Sequence, residues 1–282
     1  MTQLFRRSWS IQIGTTRISS ISINLLTVKF SVEKSLEREP NRATVRIANL
    51  SEALRRRIEL EDDPQLEIRA GYEDLEDVIF VGDVRDAWSE RDGADIWLVV
   101  ESDDGGRSYR TARIARSFQP GTALATVIYA CVDAIGVGRG NSTQIAPLAE
   151  LDSGGTIFAN GYTVDGVAWR ELDRVCRSAS LRWSIQSGVI QLRRAGQPAE
   201  TRAIRLSPGT GLVGSPSRGK RDPRQRRKRI GARSLLIPGL YPGRVVVLES
   251  AEVEGNWLCR RTNYIGDSSG QDWYVDLELE EY

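Results

Sequence analysis

Histidine is missing from all 282 residues of the chain. Its absence removes Ser-His-Asp and Cys-His catalytic arrangements and any imidazole metal ligand. Cysteine is scarce: Cys131, Cys176 and Cys259 are odd in number and far apart, which fits neither a disulfide framework nor a zinc set. They read as small buried hydrophobes. Long apolar runs are also lacking. No stretch of about 18 uncharged apolar residues exists, so no helical membrane span is expected. Met1 to Arg17 lacks the apolar core of a signal peptide. The expected setting is a cytoplasm, or an assembly built in one.

What is present is ordinary in amount and uneven in order. Hydrophobic residues make up 40% and charged residues 27%, enough apolar material for a folded core. At about 150 residues per domain, the length suits two or three domains. Net charge is +1, yet it is laid down in blocks. Glu59 to Asp104 holds 17 acidic and 3 basic residues, and Glu249 to Tyr282 holds 9 acidic and 2 basic. Arg218 to Arg233 holds 9 basic residues against the single acid Asp222. Such blocks suggest surfaces that meet complementary charge.

The pattern along the chain is β, then α+β, then β. Ile21, Ile23 and Leu25, then Val28, Phe30 and Val32, alternate with polar neighbours; so do Val45 with Ile47 and Leu66 with Ile68. Period two puts one face of each strand in a core. Val78–Val81 and Ile96–Val100 are continuous apolar runs, as in strands covered on both faces. Ser51 is placed to cap a helix over Ser51 to Leu60. In the middle, Thr122 is expected to cap a helix with the stripe Leu124, Val127, Ile128, Cys131, Val132 and Ile135, ended by Gly136. A second helix carries Ala168, Leu172, Val175, Cys176 and Ala179, followed by a hairpin turning at Ser187-Gly188. After it, Ser207 to Arg233 shows no period and reads as a long exposed loop. Strands return at Arg244 to Leu248 and Trp257 to Thr262. In the last strand, Trp273, Val275, Leu277 and Leu279 alternate with Tyr274, Asp276, Glu278 and Glu280.

No motif points to catalysis, a cofactor or a metal. Gly136-Val137-Gly138-Arg139-Gly140 follows a helix rather than a strand, so it is a connection and not a nucleotide loop. Asp62-Asp63 and Asp103-Asp104 are adjacent carboxylates, which point apart on a strand. Trp88, Trp97, Trp183, Trp257 and Trp273 mostly fall on strand positions suited to core or interface packing. The candidate binding residues are Arg218, Lys220, Arg221, Arg224, Arg226, Arg227, Lys228, Arg229 and Arg233. An acidic protein surface could order this run. Nucleic acid could do so through its phosphates, though no aromatic interleaves the run as a stacking platform needs. A solvated loop is the third reading.

Several stretches, in order, resemble the baseplate hub proteins of contractile-tailed phages and related injection machines, the late control D-like tail hubs. They are Val28 to Glu33, Pro40 to Ser51, Ala70-Gly71-Tyr72, Ile79 to Val84, Gly166 to Leu172 leading to Leu181-Arg182-Trp183-Ser184, Ser234 to Gly243, Ile265-Gly266-Asp267 and Asp272-Trp273-Tyr274. Asn263-Tyr264 stands where relatives often carry a histidine, and the basic loop looks like an addition. The resemblance implies a mostly β, α+β chain: a tube-like β-barrel in 1–105, an inserted α+β domain in 106–200, and a second tube-like β-barrel in 201–282 bearing the basic loop 214–233. It implies a non-enzymatic homotrimer in the virion baseplate, assembled in the bacterial cytoplasm. Its partners would be the tail tube protein, the central spike and other baseplate proteins. It would adapt a six-fold tube to a three-fold spike and pass DNA without specific binding, cofactor or membrane insertion. Acidic residues from Glu59–Asp104 or Glu278–Glu281 are expected to line its channel. A DNA-binding protein acting through the Arg-rich loop, a distal hub of a non-contractile tail and a tail-associated hydrolase are the alternatives.

Overall fold

A computed structural model of the chain describes residues 6–15, 20–143, 157–194, 196–199, 202–218 and 228–282. The elements begin with β1 (Arg7–Gly14), β2 (Ile21–Ile23), β3 (Val28–Ser35), β4 (Arg42–Ala48), α1 (Glu52–Leu60), β5 (Gln65–Tyr72), β6 (Leu75–Asp92) and β7 (Asp95–Asp103). Then come α2 (Gly106–Thr111), β8 (Arg113–Phe118), β9 (Thr122–Ala123), α3 (Leu124–Ile135), β10 (Ile157–Phe158), β11 (Tyr162–Val167), α4 (Ala168–Ser178), β12 (Leu181–Gln186) and β13 (Val189–Arg194). The last strands are β14 (Ile204–Leu206), β15 (Leu212–Arg218), β16 (Arg229–Leu235), β17 (Val245–Glu249), β18 (Glu254–Asp267) and β19 (Trp273–Glu281). They divide into two compact units: Met1–Leu36, Asn41–Asp104 and Glu200–Tyr282 in one, Glu37–Pro40 and Gly105–Ala199 in the other.

The first unit is built on a 13-stranded sheet. Its main path runs β15-β16-β19-β18-β3-β4-β7-β6-β5-β1-β2, with β17 beside β18 and β14 beside β17. The sheet passes from one β-rich sequence block to the other where β3 pairs with β18, from Lys29↔Asp267 to Ser35↔Arg261. One apolar core underlies both blocks, including Phe30, Val45, Ile68 and Phe80 from the first and Tyr264, Trp273, Val275 and Leu277 from the second.

Several contacts lock the blocks together. Trp273 meets Phe30 edge-on at 5.5 Å, and its indole Nε1 donates to the Gly71 carbonyl at 3.0 Å. Gly266 lies so close to Phe30 that a Cβ there would sit 2.2 Å from the ring. The Arg7 guanidinium donates to the carbonyls of Asp267, Gly270 and Gln271, stitching the first strand to the last hairpin turn. Tyr264 is fully buried, and its hydroxyl donates to the Leu240 carbonyl at 2.6 Å, fixing the Pro238–Leu240 turn. Burial holds that phenol well above its usual pKa.

Ser51 caps α1 as its sequence suggests, its hydroxyl accepting from the Leu54 N–H at 3.4 Å. Two expectations are corrected. Ser207 to Arg233 is not one long loop, because β15 and β16 occupy its flanks. In β16, Ile230, Ala232 and Ser234 turn inward, a period-two signal masked by the surrounding Arg and Gly. Thr122 does not cap α3. It lies in β9 opposite Phe158, its hydroxyl donates to the Gln119 carbonyl, and Ala123 stands at the helix start.

The second unit has its own core. Leu124, Val127, Ile128, Cys131 and Val132 of α3 pack with Leu172, Val175 and Cys176 of α4 and with Ile185, Ile190 and Leu192 of the β12–β13 hairpin. All three cysteines are buried thiols, and burial pushes Cys131 up to about 12. Gly136 closes α3 with φ +78°. The glycine-rich connection then lies along the hairpin: Gly138 accepts from Ile190 N at 2.7 Å, and a Cβ on Gly140 would sit 2.0 Å from the Ile190 carbonyl oxygen. Its glycines serve close backbone approach. Among the described residues no helix is long and apolar enough to cross a membrane.

Candidate assembly interface

Residues paired across neighbouring strands share a face, so the register defines the outer face of the first unit's sheet. It carries Arg229 and Arg233 of β16; Asp276, Glu278 and Glu280 of β19; Arg261 and Asn263 of β18; Lys29, Ser31 and Glu33 of β3; Arg42, Thr44 and Arg46 of β4; Trp97, Val99 and Glu101 of β7; and Trp88 and Glu90 of β6. The inner face carries the core residues Phe30, Val32, Val45, Leu98, Val100 and Val275. Polar residues dominate the outer face. Its Trp97 is roofed by the Lys29 ammonium and the Arg46 guanidinium, 5.6 and 4.9 Å from the ring. A cavity of about 220 Å³ opens on this face, with Glu33, Arg42, Arg85, Glu101, Ser31 and Thr44 in its wall.

Among the described residues, the path from β15 to β6 has a one-sided strand at each end: β15, and the later half of β6. β15 terminates the sheet. The later half of β6, from Asp86 onward, pairs among the described residues only with β7; its Ser89 hydroxyl donates to Glu59 of α1 at 2.6 Å.

The basic residues singled out in the sequence divide into three groups. Lys220, Arg221, Arg224, Arg226 and Arg227 lie outside the described residues, and Arg218 ends β15. Lys228, Arg229 and Arg233 are brought onto the acidic last strand. Arg233 forms a two-pronged pair with Asp276 at 2.7 and 2.9 Å and stacks on Tyr274 at 3.8 Å. Arg229 reaches Glu278 at 2.9 Å and Glu280 at 3.3 Å, and Lys228 reaches Glu281 at 3.6 Å. The acidic and basic blocks therefore meet within one chain at the root of the loop, and Glu278, Glu280 and Glu281 each have a cation beside them. Among the described residues no group of three or more acids and cysteines is placed to hold a metal ion.

Sequence reasoning missed a buried polar cluster at the strand ends where the chain leaves the first unit. Asn41 donates through its backbone N and Nδ2 to the two carboxylate oxygens of Asp104, each at 2.8 Å, and its Oδ1 accepts from Ser35 N at 2.7 Å. Lys34 is 5% exposed and donates to the Ile79 carbonyl at 3.1 Å. Burial drives its ammonium down to about 8, against the pull of Asp104. A sequence signal existed: Val28, Phe30, Val32, Lys34 continues the inward parity of β3.

No family model and no curated protein sequence matches the chain. Its fold is that of phage tail proteins. A tail protein from Neisseria meningitidis MC58 superimposes with a TM-score of 0.62 at 8% identity, covering 98% of this chain and 97% of that one. The 43 kDa tail protein of prophage MuSo2 from Shewanella oneidensis gives 0.65 at 10% identity over 98% and 97%. The E. coli c3393 protein, a component of the type VI secretion system with structural similarity to the T4 tail proteins gp27 and gp5, gives 0.56 at 10% identity over 91% and 73%.

Proposed function

We propose that the chain is a structural hub of a phage-tail baseplate, joining the tail tube to the central spike as a homotrimeric ring. The observation that carries this reading is the run of strands from β15 to β6, apolar on one face and polar on the other, in which β15 and the part of β6 from Asp86 onward have a strand partner on one side only among the described residues. Identical arrays of this kind can close edge to edge into a ring, which leaves no strand edge exposed. The likeness to tail proteins over nearly the whole chain supports it.

In this reading the polar face lines the channel. Glu278, Glu280 and Glu281 are offset by neighbouring cations, so the carboxylates left to repel a passing phosphate backbone are those of the first β segment, such as Glu33 and Glu101. The work is positional, and no residue is assigned a catalytic role. The two β blocks act as the two tube-like modules of each protomer, with residues 106–200 as the inserted domain. Electron microscopy of the chain assembled with its tube and spike partners tests this. The expected result is a three-fold ring with β3, β4 and β7 facing the bore. A strongly basic bore, or a single copy per baseplate, defeats it.

A further inference from the structure

The second unit holds a strand edge that no strand pairs with among the described residues. β8 and β11 form a two-stranded antiparallel ribbon, paired from Phe118↔Tyr162 to Arg113↔Val167. In such a ribbon, hydrogen-bonded and non-hydrogen-bonded pairs alternate. Ala168 N donates to the Ala112 carbonyl at 3.0 Å, which makes the next pair, Arg113↔Val167, non-hydrogen-bonded. From the other side, Arg174 of α4 donates to the Thr163 carbonyl at 3.3 Å, so that group also points away from β8. Both observations give the same parity. The peptide groups of Arg113, Ala115 and Ser117 face outward, and among the described residues no strand pairs with that edge.

The edge is also accessible and basic. Arg113, Ala115, Arg116 and Ser117 are exposed, and so are Arg107 and Arg110 of α2 just before them. Arg113 shares the ribbon's outer face with Ala115, Ser117 and Asp165 of β11, while Arg116 leaves on the opposite face, so the strand carries an exposed arginine on each side of the edge. Natural edge strands are blunted by proline, bulges or charge; β8 has no proline or bulge, and its charge is the two arginines, which would repel a basic strand and admit an acidic one. We propose that the outer edge of β8 is a docking edge for an extended acidic segment of a partner protein, which joins the ribbon as a third strand. Main-chain hydrogen bonds to Arg113, Ala115 and Ser117 would provide the pairing, and Arg113 and Arg116, one on each face, the charge preference. The proposal stands apart from the hub reading and holds in any assembly that leaves this edge uncovered.

The probe is a dye-labelled, end-blocked nonapeptide of alternating glutamate and valine, titrated by fluorescence anisotropy against the full chain. The expected result is saturable binding that an analogue N-methylated at alternate residues lacks. Ala115→Pro removes one outward N–H and cuts no ribbon bond, so it should abolish binding while circular dichroism stays unchanged. Arg113→Glu with Arg116→Glu should weaken binding about tenfold. The proposal is overturned if the peptide does not bind, if the methylated peptide binds equally well, or if single-stranded DNA displaces it and binds Ala115→Pro as tightly as the native chain. That last outcome would make these arginines a phosphate site.

Discussion

Replacing Lys34 by methionine isolates one buried charge and gives it a pH signature. In the native fold the ammonium is 5% exposed, and burial lowers its pKa from 10.5 to about 8. The unfolded chain keeps the ordinary value of about 10.4. Between those two pH values the unfolded state holds a proton that the folded state has released. Stability contributed by this group therefore rises as pH rises from 8 towards 10.5, and below 8 the buried charge is a constant cost. The separation corresponds to about 3 kcal/mol. Other groups titrate in the same window with the opposite sign. The thiol of Cys131 and the phenols of Tyr72, Tyr109 and Tyr264 are raised by burial, so each loses stability as pH climbs past its unfolded value. The comparison between the two proteins removes that background, since the methionine side chain neither titrates nor alters those groups. Urea unfolding followed by circular dichroism, at steps from about pH 7.5 to about pH 10.5, should show native stability gaining about 3 kcal/mol relative to Lys34→Met. A flat difference across the window would refute the claim that Lys34 is buried as a strained cation.

Three further substitutions test the joint between the β blocks and the root of the basic loop. Trp273→Phe keeps the ring against Phe30 but leaves the Gly71 carbonyl without its donor, which should cost about 1–3 kcal/mol in a denaturant titration; no loss would mean the blocks do not share that core. Gly266→Ala drives a methyl group into the Phe30 ring and should cost about 1–3 kcal/mol, largely recovered when Phe30→Leu is added. Additive losses in that double variant would contradict the contact. Arg233→Ala removes an exposed pair with Asp276 and should change thermal stability by under about 1 kcal/mol. A larger drop would show that the pair is structurally essential rather than a surface contact.

Much of the fold was legible because its signals are local. The alternation in Val28 to Val32 and in Trp273 to Leu279 follows from a pleat that sends successive side chains to opposite faces, and these segments are strands. Gly136 through its left-handed backbone and Ser51 through its side-chain hydroxyl act at helix ends on neighbouring residues only. β16 was hidden because arginine and glycine occupy its outward positions, where Arg229 and Arg233 meet carboxylates of β19. For the candidate interface, sequence singled out the basic run and the acidic last strand. It did not show that Arg229 and Arg233 are satisfied within the chain.

The sequence by itself determined the strand-rich character, the helical stripes of the middle segment, the absence of histidine chemistry and the blockwise distribution of charge. Tertiary structure alone decided that β3 lies beside β18, that Arg7 ties down a turn 263 positions away, that Lys34 is buried beside Asp104, and that β8 and the end of β6 have a strand partner on one side only among the described residues. The physical reason is range. Parity along a strand is imposed by the residue's own backbone, whereas a strand's neighbour is chosen by packing shape and hydrogen-bond satisfaction summed over segments far apart in the chain.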